Sequence, residues 1–343
     1  MKIGFDNAKY VELQSAKIKE RVNEFDKLYL EIGGKLFDDY HASRVLPGFE
    51  PDSKIKMLLK LKDMLEIIIC ISAEDIEKRR VRADYGITYD NEVLRLIGEF
   101  KKLGLNINSV VITLYNDKES VKKFIQKLEE KNIKIYVHNI IEGYPNAVNK
   151  IVSDYGFGFN SYIETTKPLV VVTAPGPSSG KLATCLSELY HESKRGVKAG
   201  YAKYETFPVW NLPLNHPVNV AYEAATADLG DVNMIDNFHL EKYGVEAVNY
   251  NRDLEVFPIL KKILHEIIGK DVYYSPTDMG INMIGYCIKD DDVVCEASKR
   301  EIVRRYYKAL DEYKNDTSKE YICKRIEELM KELKIDPLKY KNE

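Results

Sequence analysis

No stretch limits the possible folds of this chain as tightly as Leu169-Val-Val-Val-Thr-Ala-Pro-Gly-Pro-Ser-Ser-Gly-Lys-Leu-Ala-Thr184. Its apolar opening reads as a strand covered on both faces, its Pro/Gly/Ser core as a turn, and the residues after Gly180 as the start of a helix. Strand, turn and helix in that order form the unit of a parallel α/β sheet. Main-chain N–H groups in such a turn, the positive end of the helix dipole and the ammonium of Lys181 converge on one point. That point suits a phosphate or another anion.

The N-terminal part repeats the same rhythm. Helical spacing over 9–23 precedes a strand at 28–32 that ends in Gly33-Gly34. A helix over 54–64 leads into the apolar run 65–71, an amphipathic helix stops at Gly104, and strands at 110–114 and 134–138 flank another helix. The fold class expected is α/β, with two mostly parallel helix-covered sheets and a C-terminal helical region. The first sheet, Rossmann-like, is assigned to 1–160, and the second, P-loop-like, to 161–290 with a long irregular loop over 205–236. Residues 291–343 read as a charged helical segment. A long loop inside a domain marks a site candidate.

With 343 residues, 45% of them hydrophobic, the chain has ample material for a core of two domains. A net charge of −3 and no long basic run argue against nucleic acid as a partner. No apolar run reaches the roughly 18 residues of a membrane helix, and the N-terminus lacks a signal-peptide core. The five cysteines are scattered without a CxxC pair, so reduced thiols in the cytoplasm are expected. Homo-oligomerisation is left open.

A phosphate loop of the form GxxxxGK[ST] wraps a phosphate with its backbone, reaches it with lysine and holds Mg²⁺ through the final hydroxyl. Gly176, Ser178, Ser179, Gly180 and Lys181 supply much of that pattern. Leu182, however, replaces the magnesium-holding hydroxyl, Pro175 and Pro177 remove two donors, and Thr184 is displaced along the helix. Ala174, five residues and then Gly180-Lys181, followed by Gly200-Tyr-Ala-Lys203, resemble the longer loop of dethiobiotin-synthetase-like ligases over about residues 169–204. ATP with Mg²⁺ is the cofactor pair that this resemblance implies. The alternative is a plain strand-to-helix turn with Lys181 exposed.

Other segments offer further groups. Gly33, Gly34 and Lys35, with His41 and Arg44, would hold an anion, Asp38 or Asp39 orienting His41; an ordinary turn with surface charges is the competing reading. Arg79, Arg80 and Arg82, with Asp84 beyond them, form either a phosphate clamp or a solvated charged face. Lys203 would steady a transition-state charge, while Glu205 or Asp228 would serve a metal or a proton. His216, between Asn215 and Pro217, reads first as a turn residue. No HExxH, nucleophile elbow or paired-cysteine zinc motif occurs.

Four strings together, 30–48, 172–184, 199–214 and 222–236, resemble a bacterial family known as domain of unknown function 1846. The resemblance runs the length of the chain and implies α/β domains in a soluble cytoplasmic protein. Members sometimes carry the label ATP-dependent peptidase, and they continue into a further C-terminal domain. Three functions are therefore weighed. The first is a nucleotide- or phosphometabolite-binding enzyme of the ligase or kinase type. The second is a non-catalytic sensor or scaffold for a small phosphorylated or carboxylate ligand, and the third is the labelled peptidase.

Overall fold

The computed structural model describes residues 2–82 and 85–340. Seven strands form one sheet: β1 (Lys27–Ile32), β2 (Leu65–Ser72), β3 (Ile107–Thr113), β4 (Lys134–Val137), β5 (Leu169–Thr173), β6 (Ala199–Tyr204) and β7 (Gly280–Ile281). Their order is β7-β6-β1-β5-β2-β3-β4, and every pairing is parallel. The α/β class, the parallel helix-covered sheet and the helical C-terminal region all stand.

Among the described residues no separate P-loop-like sheet forms. β5 inserts between β1 and β2, pairing Leu169 with Leu28 on one side and with Leu65 on the other. The physical reason lies in β5 itself. All five of its residues are buried, so both faces need helices and both edges need strands. The centre of the existing sheet provides all four.

Side chains alternate across the sheet with period two. Leu28, Leu30, Ile67, Ile69, Val110 and Val171 face one layer, where α1 (Asn7–Val22), α2 (Tyr89–Lys102) and α3 (Glu119–Glu129) pack. Tyr29, Ile68, Cys70, Val111, Val170 and Val172 face the other, covered by α4 (Lys181–Lys194) and α5 (Asn251–Ile268). The long helices α6 (Asp291–Asn315) and α7 (Glu320–Glu332) extend the first layer through Ile302, Val303, Ile326 and Leu329.

The stretch 205–236 is more ordered than its composition implies. It contains the helix Pro217–Ala225, with His216 accepting from the Val218 N–H at its N-cap and proline in the first turn. A short strand, Asn233–Ile235, then pairs with Val248–Tyr250.

β1 and β5 are neighbours, yet their outgoing connections diverge. The chain after β1 passes to the α1 layer through the buried Ala42, Val45 and Leu58, whereas β5 leads into α4 on the opposite layer. Parallel strands that part in this way leave a crevice at their C-terminal ends.

Ile69, fully buried in β2, tests the single-sheet core. Ile69→Ala should cost about 2–5 kcal/mol, read as a lower urea midpoint with an unchanged slope.

Candidate functional site

The crevice is a cavity of about 910 Å³. β1 enters it with Glu31 and Gly33-Gly34, β5 with Thr173 and the loop behind it, and β6 with Lys203 and Glu205. Register sets Glu31 beside Val172 on one flank and beside Lys203 on the other. Thus the glycine pair and the phosphate-type loop, assigned from sequence to different sheets, line one cleft.

Gly180 is left-handed at φ 83° and caps α4 without a side-chain bond. A Cβ there would stand 2.8 Å from the Thr113 side chain, so glycine is needed for both conformation and space. At Gly176 a Cβ would collide with the Tyr89 hydroxyl. The Ser179 hydroxyl turns inward to the Gly176 carbonyl at 3.1 Å, and the Ser179 carbonyl accepts from Thr113 Oγ1 at 2.9 Å. Ser179 therefore shapes the loop. The main-chain N–H groups of Ser178 and of Gly180 to Leu182 find no acceptor among the described residues, while that of Ser179 closes the turn toward the Gly176 carbonyl. Gly176, Ser178, Lys181 and Leu182 line the cavity. Lys181 is held inside it, 3.9 Å from Glu31 and 14% exposed, so the exposed-lysine alternative does not hold.

Thr184 cannot replace the missing magnesium hydroxyl. It is fully buried, and its oxygen accepts from Cys70 Sγ at 3.4 Å.

Lys203 Nζ lies 2.7 Å from Asp253 and 2.9 Å from Glu205. Burial pulls its pKa down, but the Asp253 and Glu205 carboxylates outweigh that pull and hold the ammonium well above the usual lysine range. Lys203 is thus a fixed cation. Burial raises Glu205, offset in part by Lys203.

Asp228 does not join this group: it is exposed on a 3₁₀ turn and stands outside the cavity lining. Asp231, only 3% exposed, and Asp253 line the cleft in its place. What hid these two acids from sequence reasoning is tertiary. The helix Pro217–Ala225 and the pairing of Asn233–Ile235 with Val248–Tyr250 return them to the cleft.

Gly33 and Gly34 line the cleft; Gly34 has φ 67°, and a Cβ on it would lie 3.3 Å from Lys54 Nζ. Lys35 also lines it, from an exposed position. His41 and Arg44 also line the cavity, but both are engaged by Glu301. His41 Nδ1 lies 3.0 Å from Glu301 Oε1, and Arg44 Nε donates to Glu301 Oε2 at 2.8 Å. Glu301 of α6, not Asp38 or Asp39, therefore orients His41. Asp39 instead caps the helix Tyr40–Val45 and pairs with Lys54 at 3.1 Å, and Asp38 accepts from Tyr85. Arg80 and Arg82 reach the cavity wall, paired with Asp75 and Glu92. Asp84 lies outside the described residues.

One constellation escaped the sequence reading. His216, Asp291 and Cys295 bring ligand atoms within 4.8 Å of one another. His216 Nδ1 accepts from the Val218 N–H, so the neutral ring carries its proton on Nε2 and donates it to Asp291 at 3.0 Å. No lone pair is left for a metal or for the Cys295 proton. Burial and Asp291 push the Cys295 thiol up to about 11.

A profile of the family described as "Domain of unknown function DUF1846, N-terminal" matches residues 3–334. The chain belongs to this family. It is 59% identical over 334 residues to a UPF0371 protein of Clostridium botulinum (strain Alaska E43 / Type E3), covering 97% of this chain and 66% of the relative. A UPF0371 protein of Fusobacterium nucleatum is 60% identical with the same coverage, and one of Clostridioides difficile (strain 630) is 58% identical over 98% of this chain and 68% of its own length. The chain thus spans about two thirds of the length of the curated relatives it matches. Among the described residues, no helix is long and apolar enough to cross a membrane.

Glu188 on α4 gives a pH test of the helix that carries the loop. Burial holds its carboxyl well above the usual range, and its Oε1 has no hydrogen-bond partner among the described residues. Unfolding releases that proton once the pH exceeds about 4.3, so the wild type loses stability as pH rises toward the folded-state value. Glu188→Gln should therefore raise the urea midpoint, by a margin that grows as the pH rises above about 5 toward the folded-state value, at up to about 1.4 kcal/mol per pH unit.

Proposed function

We propose that the cleft binds a nucleotide or a phosphorylated metabolite, its phosphate seated at the amides of Ser178 and Gly180–Leu182 and at Lys181. The observation that carries this reading is the run of main-chain donors without acceptors at the start of α4, beside a lysine held inside the same cavity. The charge of the lining supports it: nine lysine and arginine side chains stand there against five carboxylates. The volume also lies within the range of small-ligand sites.

Lys203, flanked by Glu205 and Asp253, supports a reaction of the ligase or kinase type, in which a fixed cation steadies developing charge. Leu182 and the buried Thr184 favour a second reading, a sensor or scaffold that binds the phosphate without metal-assisted transfer. The peptidase label gains no support from the Cys295–His216 pair, whose imidazole is engaged by Asp291 and Val218.

Isothermal titration with inorganic phosphate, ADP and ATP, with and without Mg²⁺, tests the reading. Binding to the wild type is expected, with Lys181→Ala weaker by about 10- to 100-fold, the worth of one charge-assisted hydrogen bond. No binding, or equal binding to both proteins, would overturn it.

A further inference from the structure

The cleft has a second, acidic end. Asp231, Glu205 and Asp253 line it, and each already has a cation at hand: Lys203 lies between Glu205 and Asp253, and Arg252 Nη2 lies 3.4 Å from Asp231. Acceptors and donors therefore sit side by side along this wall. A divalent cation between Glu205 and Asp253 would meet the Lys203 charge.

Aromatic rings complete the wall. Tyr222 stacks on Phe207 with centroids 4.7 Å apart and planes at 18°, and on Tyr250 at 5.9 Å and 26°. These rings are spent on one another, so a planar base would meet edges more than an open face. An independent observation points to a ligand. Tyr250 and Thr206, 4% and 6% exposed, line the cavity, yet Tyr250 Oη and Thr206 Oγ1 have no hydrogen-bond partner among the described residues. Buried hydroxyls without partners are costly and call for an explanation.

We infer that the ligand is a phosphorylated polyhydroxy compound of the sugar phosphate class, its hydroxyls held by Asp231, Tyr250 and the Lys203–Glu205–Asp253 group. This rests on the phosphate reading above and narrows it. Each sugar hydroxyl donates one hydrogen bond and accepts others, which a wall of alternating carboxylate and ammonium satisfies.

Titration of the full chain with glucose 6-phosphate, ribose 5-phosphate, inorganic phosphate and ADP tests it. At least one sugar phosphate should bind about tenfold or more tighter than inorganic phosphate, and tighter than ADP. Asp231→Asn should weaken that sugar phosphate about tenfold, and Tyr250→Phe, which keeps the ring stack, about threefold. Both should leave inorganic phosphate within about twofold of the wild type. Sugar phosphates no tighter than inorganic phosphate, ADP tighter than either, or variants that weaken inorganic phosphate equally would overturn the inference and leave the phosphate reading standing. Failure of every probe to bind would overturn both.

Discussion

The site traces back to the adjacency of β1 and β5. Two parallel strands hydrogen-bonded along their length send their connections to opposite layers. The backbone must part where they end, and main-chain polar groups that would otherwise pair are left facing a cavity. The candidate site follows from this topology before any side chain is considered.

Side chains then set the character of the cavity. Lys181 and Lys203 are each held beside carboxylates, Glu31 for the first and Glu205 with Asp253 for the second. Such pairing lets charge persist in a partly buried cleft, because each ion offsets the desolvation of its neighbour. Glu301 plays a similar part at the rim. Burial would raise its carboxyl, yet Arg304, His41 and Arg44 hold it far below the usual range. That cluster ties α6 to the segment after β1, which places the C-terminal helices against one wall of the cleft.

Local chemistry is legible in the residues themselves. The apolar run of β5, the glycine that starts α4 and the lysine after it all fall where their types require. Long-range pairings are not. Nothing in the sequence around His41 names Glu301, 260 residues away, as its partner. Asp228 and Asp231 belong to one acidic stretch and look alike in sequence. The turn at Gly230, left-handed at φ 70°, separates the exposed carboxylate from the buried one.

Residue types and their spacing were enough to establish the α/β class, the strand and helix units and the glycine-capped turn ahead of Lys181, because periodicity and turn chemistry act over a few residues. They were not enough to show that these units share one sheet with β5 at its centre, or that the Gly33-Gly34 turn meets the Gly176–Lys181 loop. Those outcomes belong to the assembled molecule. Strand order depends on which faces and edges remain to be covered, and that is a property of the packed layers.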